Sequence, residues 1–356
     1  MTKVLMKGNE AIGEAAIRAG CTNYFAYPIT PQSEVAEYLA KRLPEVDGVF
    51  LQGESEVAVG YMIFGAAGAG ERVMTTSSSP GVSLMSEAIS YIAGAECPAV
   101  FVNIMRGGPG LGGILPSQGD YFQATKGGGH GDYHMLVLAP DGVQEAVEMT
   151  MNAFALADKY RNPVMILGDG MIGQMMEPVE FPDDLVSEPS NKDSWATNGM
   201  STRKSKERNL VKSLLLDPTV LNQHNLNLKA KYEQMKKEEV LFEAYNTDTD
   251  YEILIVSYGT MSRVCKTAID MLEEENGIKA ALLRPQTLFP FPEQAVYDAA
   301  AKESCKSVIS IEMSMGQMVE DVERSVKGIR PVEFYGECGG EIPTPETIID
   351  VLKKQL

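Results

Sequence analysis

The sequence predicts an α/β protein built from two parallel-sheet units, and three observations carry that expectation. Short apolar runs of strand length alternate with helical patterns, most of them twelve or more residues long. The runs are mostly apolar rather than alternating, the texture of strands covered on both faces. The alternation breaks once, into a polar stretch, and then resumes. The expected organisation is a sheet domain over 1–180, a polar arm and linker helix over 181–250, and a smaller α/β domain over 251–356, in line with a 356-residue chain.

In the first unit, strands are expected at 23–27, 49–52, 72–76, 99–105, 135–139 and 163–167, with helices at 31–42, 55–69, 82–95 and 141–160. Parallel sheets gather ligands outside the C-terminal ends of their strands. Segments 27–31, 51–56, 76–81 and 106–113 all follow strands and should therefore share one rim. Pro178, Pro182 and Pro189 then lead into a polar surface arm that includes 190–194 and 201–208. A charged pattern over 218–244 reads as a solvated linker helix, with a docking helix as the alternative. The second unit should contain strands at 253–257, 279–283, 307–311 and 331–334 and helices at 261–275, 292–301, 316–326 and 345–355. Thr344 and Pro345 form the start signal of the last helix.

Composition excludes several function classes. The chain carries 49 acidic against 31 basic residues, a net charge of -18, which argues against nucleic acid or an acidic membrane surface as partner. Its first residues lack signal architecture and no run approaches ~20 apolar residues, so a cytoplasmic protein without a membrane span is expected. Cys21, Cys97, Cys265, Cys305 and Cys338 are scattered, whereas an iron–sulfur cluster or structural zinc needs thiolates at short fixed spacing. With three histidines, a His-based triad has little raw material.

The candidate chemistry sits on the rim. Glu56 opens an apolar helix and shares its inward face with Val59, Gly60 and Ile63; a carboxylate buried there needs a specific partner. The alternative is that Glu54 and Glu56 merely favour the helix N-terminal dipole. Arg106 ends an apolar strand, where a guanidinium can fork onto a carboxylate, or can be an ordinary strand-end arginine. Thr30, between Pro28 and Pro31, offers a hydroxyl to a substrate carboxylate, caps the helix entered through Pro31, or does both. Gly108–Gly113 fits GxGxxG, but Pro116 follows where a phosphate-binding helix should start, so it reads as a loop over the pocket. His130, in a glycine-rich stretch, is read as loop context. Gly168-Asp169-Gly170, with Asn191 downstream, has the outline of a Mg²⁺-diphosphate motif, yet the intervening stretch lacks a strand–loop–helix unit; it reads as a strand-end turn.

At these residues the chain resembles the α subunits of 2-oxoacid:ferredoxin oxidoreductases. The resemblance rests on the runs beginning at Tyr27 (YPITP), Gly53 (GESE), Met105 (MRGGP), Gln118 (QGDYFQAT), Gly129 (GHGDY) and Leu167 (LGDG). The run from Tyr121 to His130 is most similar to the branched-chain, 2-oxoisovalerate (3-methyl-2-oxobutanoate) members. The resemblance implies a pyrimidine-type thiamine diphosphate-binding domain followed by a transketolase C-terminal-like domain. It also implies that Glu56 bonds the aminopyrimidine ring, Pro28 lines its pocket, and Thr30 and Arg106 hold the substrate carboxylate. The diphosphate and Mg²⁺ half-site would lie on a β subunit. Iron–sulfur clusters would lie on other chains, among them γ and ferredoxin-like subunits, with ferredoxin and coenzyme A as co-reactants. Competing expectations are pyruvate or 2-oxoglutarate as substrate, a lipoamide-dependent dehydrogenase subunit, and a non-catalytic scaffold.

Overall fold

A computed structural model describes residues 3–182, 191–199 and 207–355. The remaining parts of the expected polar arm, 183–190 and 200–206, lie outside the described residues. The first unit runs β1 (Val4–Lys7), α1 (Gly8–Arg18), β2 (Asn23–Ala26), α2 (Ser33–Arg42), β3 (Val49–Gln52), α3 (Glu56–Ala69), β4 (Val73–Ser77), α4 (Pro80–Gly94) and β5 (Ala99–Met105). It continues through α5 (Tyr121–Thr125), β6 (Leu136–Leu138), α6 (Val143–Tyr160), β7 (Pro163–Asp169), α7 (Gly170–Gln174) and β8 (Met176–Val179). Then come α8 (Pro218–Glu238), β9 (Phe242–Tyr245), β10 (Ile253–Val256), α9 (Gly259–Asn276), β11 (Ala280–Pro285), β12 (Thr287–Phe289) and α10 (Glu293–Ala300). The chain closes with β13 (Ser307–Glu312), α11 (Met318–Val326), β14 (Val332–Gly336) and α12 (Pro345–Lys353).

Six strands of the first sheet are parallel, in the order β6-β7-β5-β4-β2-β3. β4, β5 and β7 are buried along their whole length, as the continuous apolar runs require. A second sheet has the order β14-β13-β10-β11-β9. Besides β1 and β8, which pair antiparallel as a small sheet of their own, two antiparallel strands depart from the all-parallel expectation. β9 pairs with β11, and β12 leaves the second unit to pair with β6 at the edge of the first sheet. Both are short and follow sequence that reads as linker or turn, so neither gives a period of its own.

Two further expectations are corrected. The helix expected over 218–244 stops at Glu238, and residues 242–245 extend into β9. That helix, though mostly exposed, also docks against the protein along one stripe, the alternative to a free linker. Leu228, Tyr232 and Met235, at i, i+4 and i+7, are buried, and His224 Nε2 lies 2.8 Å from the Gly94 carbonyl. Its stripe is narrow because the other faces carry the charged residues that dominate the sequence pattern.

The two units meet along a polar seam. Gln118 donates to the Tyr258 carbonyl at 2.7 Å and accepts from the Met313 amide at 2.9 Å. Tyr121 OH donates to Asp321 at 2.6 Å, and Lys126 Nζ pairs with the same carboxylate. Arg284 forks onto Glu145 at 2.7 and 2.8 Å and reaches Glu243 through Nε. Fully buried Glu312 accepts from Ser310 Oγ, Ser314 Oγ and the amides of Gln317, Met318 and Val319, all within 2.8–3.0 Å. Four of those five donors lie in the turn and first residues of α11, where the helix needs an acceptor.

Candidate active site

The C-terminal ends of β5, β4, β2 and β3 are neighbours in the sheet, so the segments that follow them form one rim. Glu56 stands at the first position of α3. The preceding Ser55 is extended and its Oγ caps the Ala58 amide at 3.2 Å. Glu56, Val59, Gly60 and Ile63 are all buried, as the shared helix face predicts. The carboxylate, however, has no hydrogen-bond or ion-pair partner among the described residues. It lies against the N-terminal turn of α4: a methyl built on Gly81 would come within 2.1 Å of Ser77 Oγ and 2.8 Å of Glu56 Oε1. Gly81 thus lets the Ser77 hydroxyl and the Glu56 carboxylate pack directly against the first turn of α4, where any side chain would collide, and the buried hydroxyls of Ser77 and Ser78 are without partners among the described residues.

Arg106 follows β5 and is 7% exposed. Its guanidinium donates to the Thr30 carbonyl at 2.9 Å and to the Leu111 carbonyl at 3.1 Å, while Nε is buried without a partner. Arg106 and Thr30 are therefore brought together, and Arg106 also ties the 107–115 loop to the rim. Thr30 meets Arg106 through its backbone, leaving its side chain on an exposed residue beside exposed Tyr27 and Pro28. The expectation that Thr30 caps a helix starting at Pro31 is corrected: α2 begins at Ser33 with Gln32 before it. The Pro31 carbonyl is held instead by Asn9 Nδ2 at 2.7 Å and Gln174 Nε2 at 3.3 Å, side chains from α1 and α7. Those long-range contacts pull the turn out of helical register.

Beneath the rim, Tyr24 OH lies 2.6 Å from Thr76 Oγ1, and Thr76 donates to the Gln32 side chain. Sequence reasoning also did not single out Ser79, Asn103 and Asp120. Ser79 Oγ donates to Asp120 at 2.6 Å, Asn103 Nδ2 donates to Asp120 at 2.9 Å, and Asn103 Oδ1 accepts from the Ser79 amide at 3.0 Å. The usable signal was Asn103, a polar residue inside an otherwise apolar strand.

The remaining motifs have other uses. Asp169 is buried, caps α7 through the amides of Met171 and Ile172, and accepts from Thr260 Oγ1 at 2.9 Å. Burial pushes its carboxyl above the usual range. Asn191 turns its side-chain oxygen to the Asp193 amide at 2.9 Å. No helix follows Gly108–Gly113 directly; the chain folds back so that Arg106 bridges to Pro116. His130 is exposed, edge-on to Tyr91. A cleft of about 750 Å³ lined by Lys126, His134, Lys236 and Phe289 opens elsewhere, near the N-terminal end of β6 and so at the opposite end of the sheet from the rim. Four cysteines are buried and Cys338 is exposed; among the described residues no group of three or more His, Cys, Asp and Glu could hold a metal. No described helix is long and apolar enough to cross a membrane.

Residues 14–243 match the family profile described as pyruvate flavodoxin/ferredoxin oxidoreductase, thiamine diphosphate-binding, and 251–348 match pyruvate:ferredoxin oxidoreductase core domain II. The ketoisovalerate oxidoreductase subunits VorB of Methanothermobacter thermautotrophicus and Methanothermobacter marburgensis are 47% and 48% identical, over 99% of this chain and 98% and 97% of theirs. The 2-oxoglutarate synthase subunit KorA of Archaeoglobus fulgidus is 37% identical over the full length of both. Among solved structures, 2-oxoglutarate:ferredoxin oxidoreductase from Magnetococcus marinus superposes with a TM-score of 0.88 at 28% identity, over 99% of this chain and 65% of that one. A split-gene transketolase shares the fold alone, with a TM-score of 0.57 at 14% identity, over 99% of this chain and 98% of that one. Matched by both family profiles and related to these subunits from end to end, the chain belongs to the thiamine diphosphate-dependent 2-oxoacid:ferredoxin oxidoreductases, as an α-type subunit.

Proposed function

We propose that this subunit supplies the acid–base half of an active site that oxidatively decarboxylates a branched-chain 2-oxoacid, with a partner supplying the other half. The single observation that carries the reading is Glu56: a carboxylate on a buried residue at a helix start, packed against the α4 turn at Gly81, with no partner among the described residues. A carboxylate held there without a partner can accept from a protonated ring nitrogen of an aminopyrimidine. The Ser77 hydroxyl, unpartnered among the described residues and packed against the same glycine, suits the same polar ring edge.

The chemistry supplied by bound thiamine diphosphate is attack on a keto carbon and storage of the electrons freed by decarboxylation. The chain's own residues do the rest on this side. Glu56 holds a proton on the pyrimidine ring nitrogen and so sets its tautomer. Pro28 walls the ring. Arg106, with a free Nε and two N–H groups lent to backbone carbonyls, turns its guanidinium to the 2-oxoacid carboxylate, which the Thr30 hydroxyl also approaches. The Mg²⁺-diphosphate half-site belongs on a β-type partner, since Asp169 is already committed inside this chain. Iron–sulfur clusters belong on γ and ferredoxin-like partners, because these cysteines are scattered and four are buried. Two electrons then pass to ferredoxin, the acyl group to coenzyme A, and CO₂ leaves.

The branched-chain assignment is supported by the margin between the VorB relatives at 47–48% and the KorA relatives at 34–37%. The test is to purify the complex from its host and follow viologen reduction with coenzyme A across 2-oxoisovalerate, 2-oxoglutarate and pyruvate. The expected result is the highest kcat/KM on 2-oxoisovalerate. A preference for either other acid overturns the substrate assignment, and inactivity on all three overturns the function.

A further inference from the structure

We propose that Asp120 is a positioning residue for substrate binding: through Ser79 it fixes the backbone from which Arg106 reaches the 2-oxoacid carboxylate. The proposal rests on the reading of Arg106 as the carboxylate anchor. It starts from an oddity of local structure. Asp120 immediately precedes α5, the position where an aspartate ordinarily caps the helix, yet its carboxylate makes no cap bond. It is turned instead toward β4 and β5, where Ser79 Oγ donates to it at 2.6 Å and Asn103 Nδ2 at 2.9 Å. Ser79 has φ 21° and ψ -80°, a conformation that a residue with a side chain rarely adopts. Such strain persists only where the surroundings impose it, and it concentrates at working sites.

The bonds form a directed chain. The Arg106 amide donates to Ser79 Oγ at 3.1 Å, and the one proton of that hydroxyl goes to Asp120, the nearest acceptor, rather than to the Arg106 carbonyl at 3.3 Å. The Ser79 amide is fixed by Asn103 Oδ1 at 3.0 Å, and Asn103 is itself held by Asp120. One carboxylate thus orients both groups that hold the Ser79 turn. That turn carries Arg106's backbone on one side and, through Pro80 and Gly81, the wall beside Glu56 on the other. Burial pushes the Asp120 carboxyl up, and its two donors oppose that shift, as expected of a charge kept for a geometric purpose. Within the run from Gln118, this gives Asp120 a role apart from the seam contacts of Gln118 and Tyr121.

The test is a double-substitution cycle on the purified complex, with Asp120→Ala, Arg106→Gln and both together. Misplacing an anchor by a fraction of an ångström to an ångström costs roughly ten- to a hundredfold, and that loss is expected in KM for 2-oxoisovalerate, with kcat changed about threefold or less. The double variant should be no worse than Arg106→Gln alone, because Asp120 acts only through Arg106. Asp120→Asn, which keeps an oxygen for both donors, should recover most of the KM. Amide exchange over residues 103–107 should quicken in Asp120→Ala, independently of activity. If Asp120→Ala fails to assemble, Ser79→Ala replaces it in the cycle. A raised KM in Arg106→Gln with an unchanged KM in Asp120→Ala, or fully additive losses, overturns the positioning role alone. An unchanged KM in Arg106→Gln overturns the anchor reading and the proposal with it.

Discussion

The seam between the two units and the rim of the first sheet treat buried charge in opposite ways. At the seam, Glu312 receives five donors, Arg284 is matched by Glu145 and Glu243, and Asp321 is met by Tyr121 and Lys126. At the rim, the Glu56 carboxylate has no partner among the described residues, and Ser77 Oγ, Ser78 Oγ and Arg106 Nε are buried and unpaired. A folded chain pairs most of its buried polar groups. Unpaired buried atoms also occur elsewhere, at Thr150, Tyr232 and Ser307 among others, so the contrast marks the rim as a candidate site only together with the carboxylate and guanidinium gathered there.

The largest effect should come from the rim. Glu56→Gln removes a carboxylate with no partner among the described residues, so the complex should assemble and melt as before while turnover falls by roughly 10²–10⁴-fold. Melting curves beside viologen assays check this. A large loss of melting temperature would place Glu56 with the seam groups instead, and near-normal turnover would remove it from the chemistry.

Glu312→Gln is the converse. Whichever way the amide turns, its NH₂ faces backbone N–H donors that need an acceptor. The expected loss is about 3 kcal/mol of stability, read by urea unfolding, with KM for the 2-oxoacid unchanged. A KM effect without destabilisation would erase the contrast between the two regions.

The smallest effect concerns His134, stacked on Phe289 where β12 meets the first sheet. Burial, and then Lys236, hold its pKa below the ordinary 6.5. The unfolded chain therefore takes up a proton before the folded one does. Stability is complete above 6.5 and declines as pH falls through the lowered folded value. Replacing His134 with Phe should flatten that decline by about 1–2 °C of melting temperature between about pH 7 and pH 5.5. An identical pH profile in the variant would show that the ring does not titrate at this packing contact.

Much of this was legible in the residues. Continuous apolar runs located the strands, and Thr344 with Pro345 located the start of α12, where the Thr344 side chain does cap the Thr347 amide. The periodicity of α3 put Glu56 on the buried face. Three things were illegible for a physical reason. β9 and β12 exist because partner strands meet them, not because of their own pattern. The start of α2 is delayed by Asn9 and Gln174, which bond the Pro31 carbonyl from distant points of the chain. Asp120 looks like a helix cap until β4 and β5 bring Ser79 and Asn103 to it.

By itself the sequence pointed to the layering, the rim, and Thr30, Glu56 and Arg106 as candidates, because periodicity and turn chemistry are local properties; Pro28 entered only through the family resemblance. Tertiary structure alone decided which polar groups are satisfied. Pairing depends on residues far apart in sequence, such as Tyr121 with Asp321 or Arg106 with Thr30. That the Glu56 carboxylate meets no such partner among the described residues can likewise be recognised only once the fold is in place.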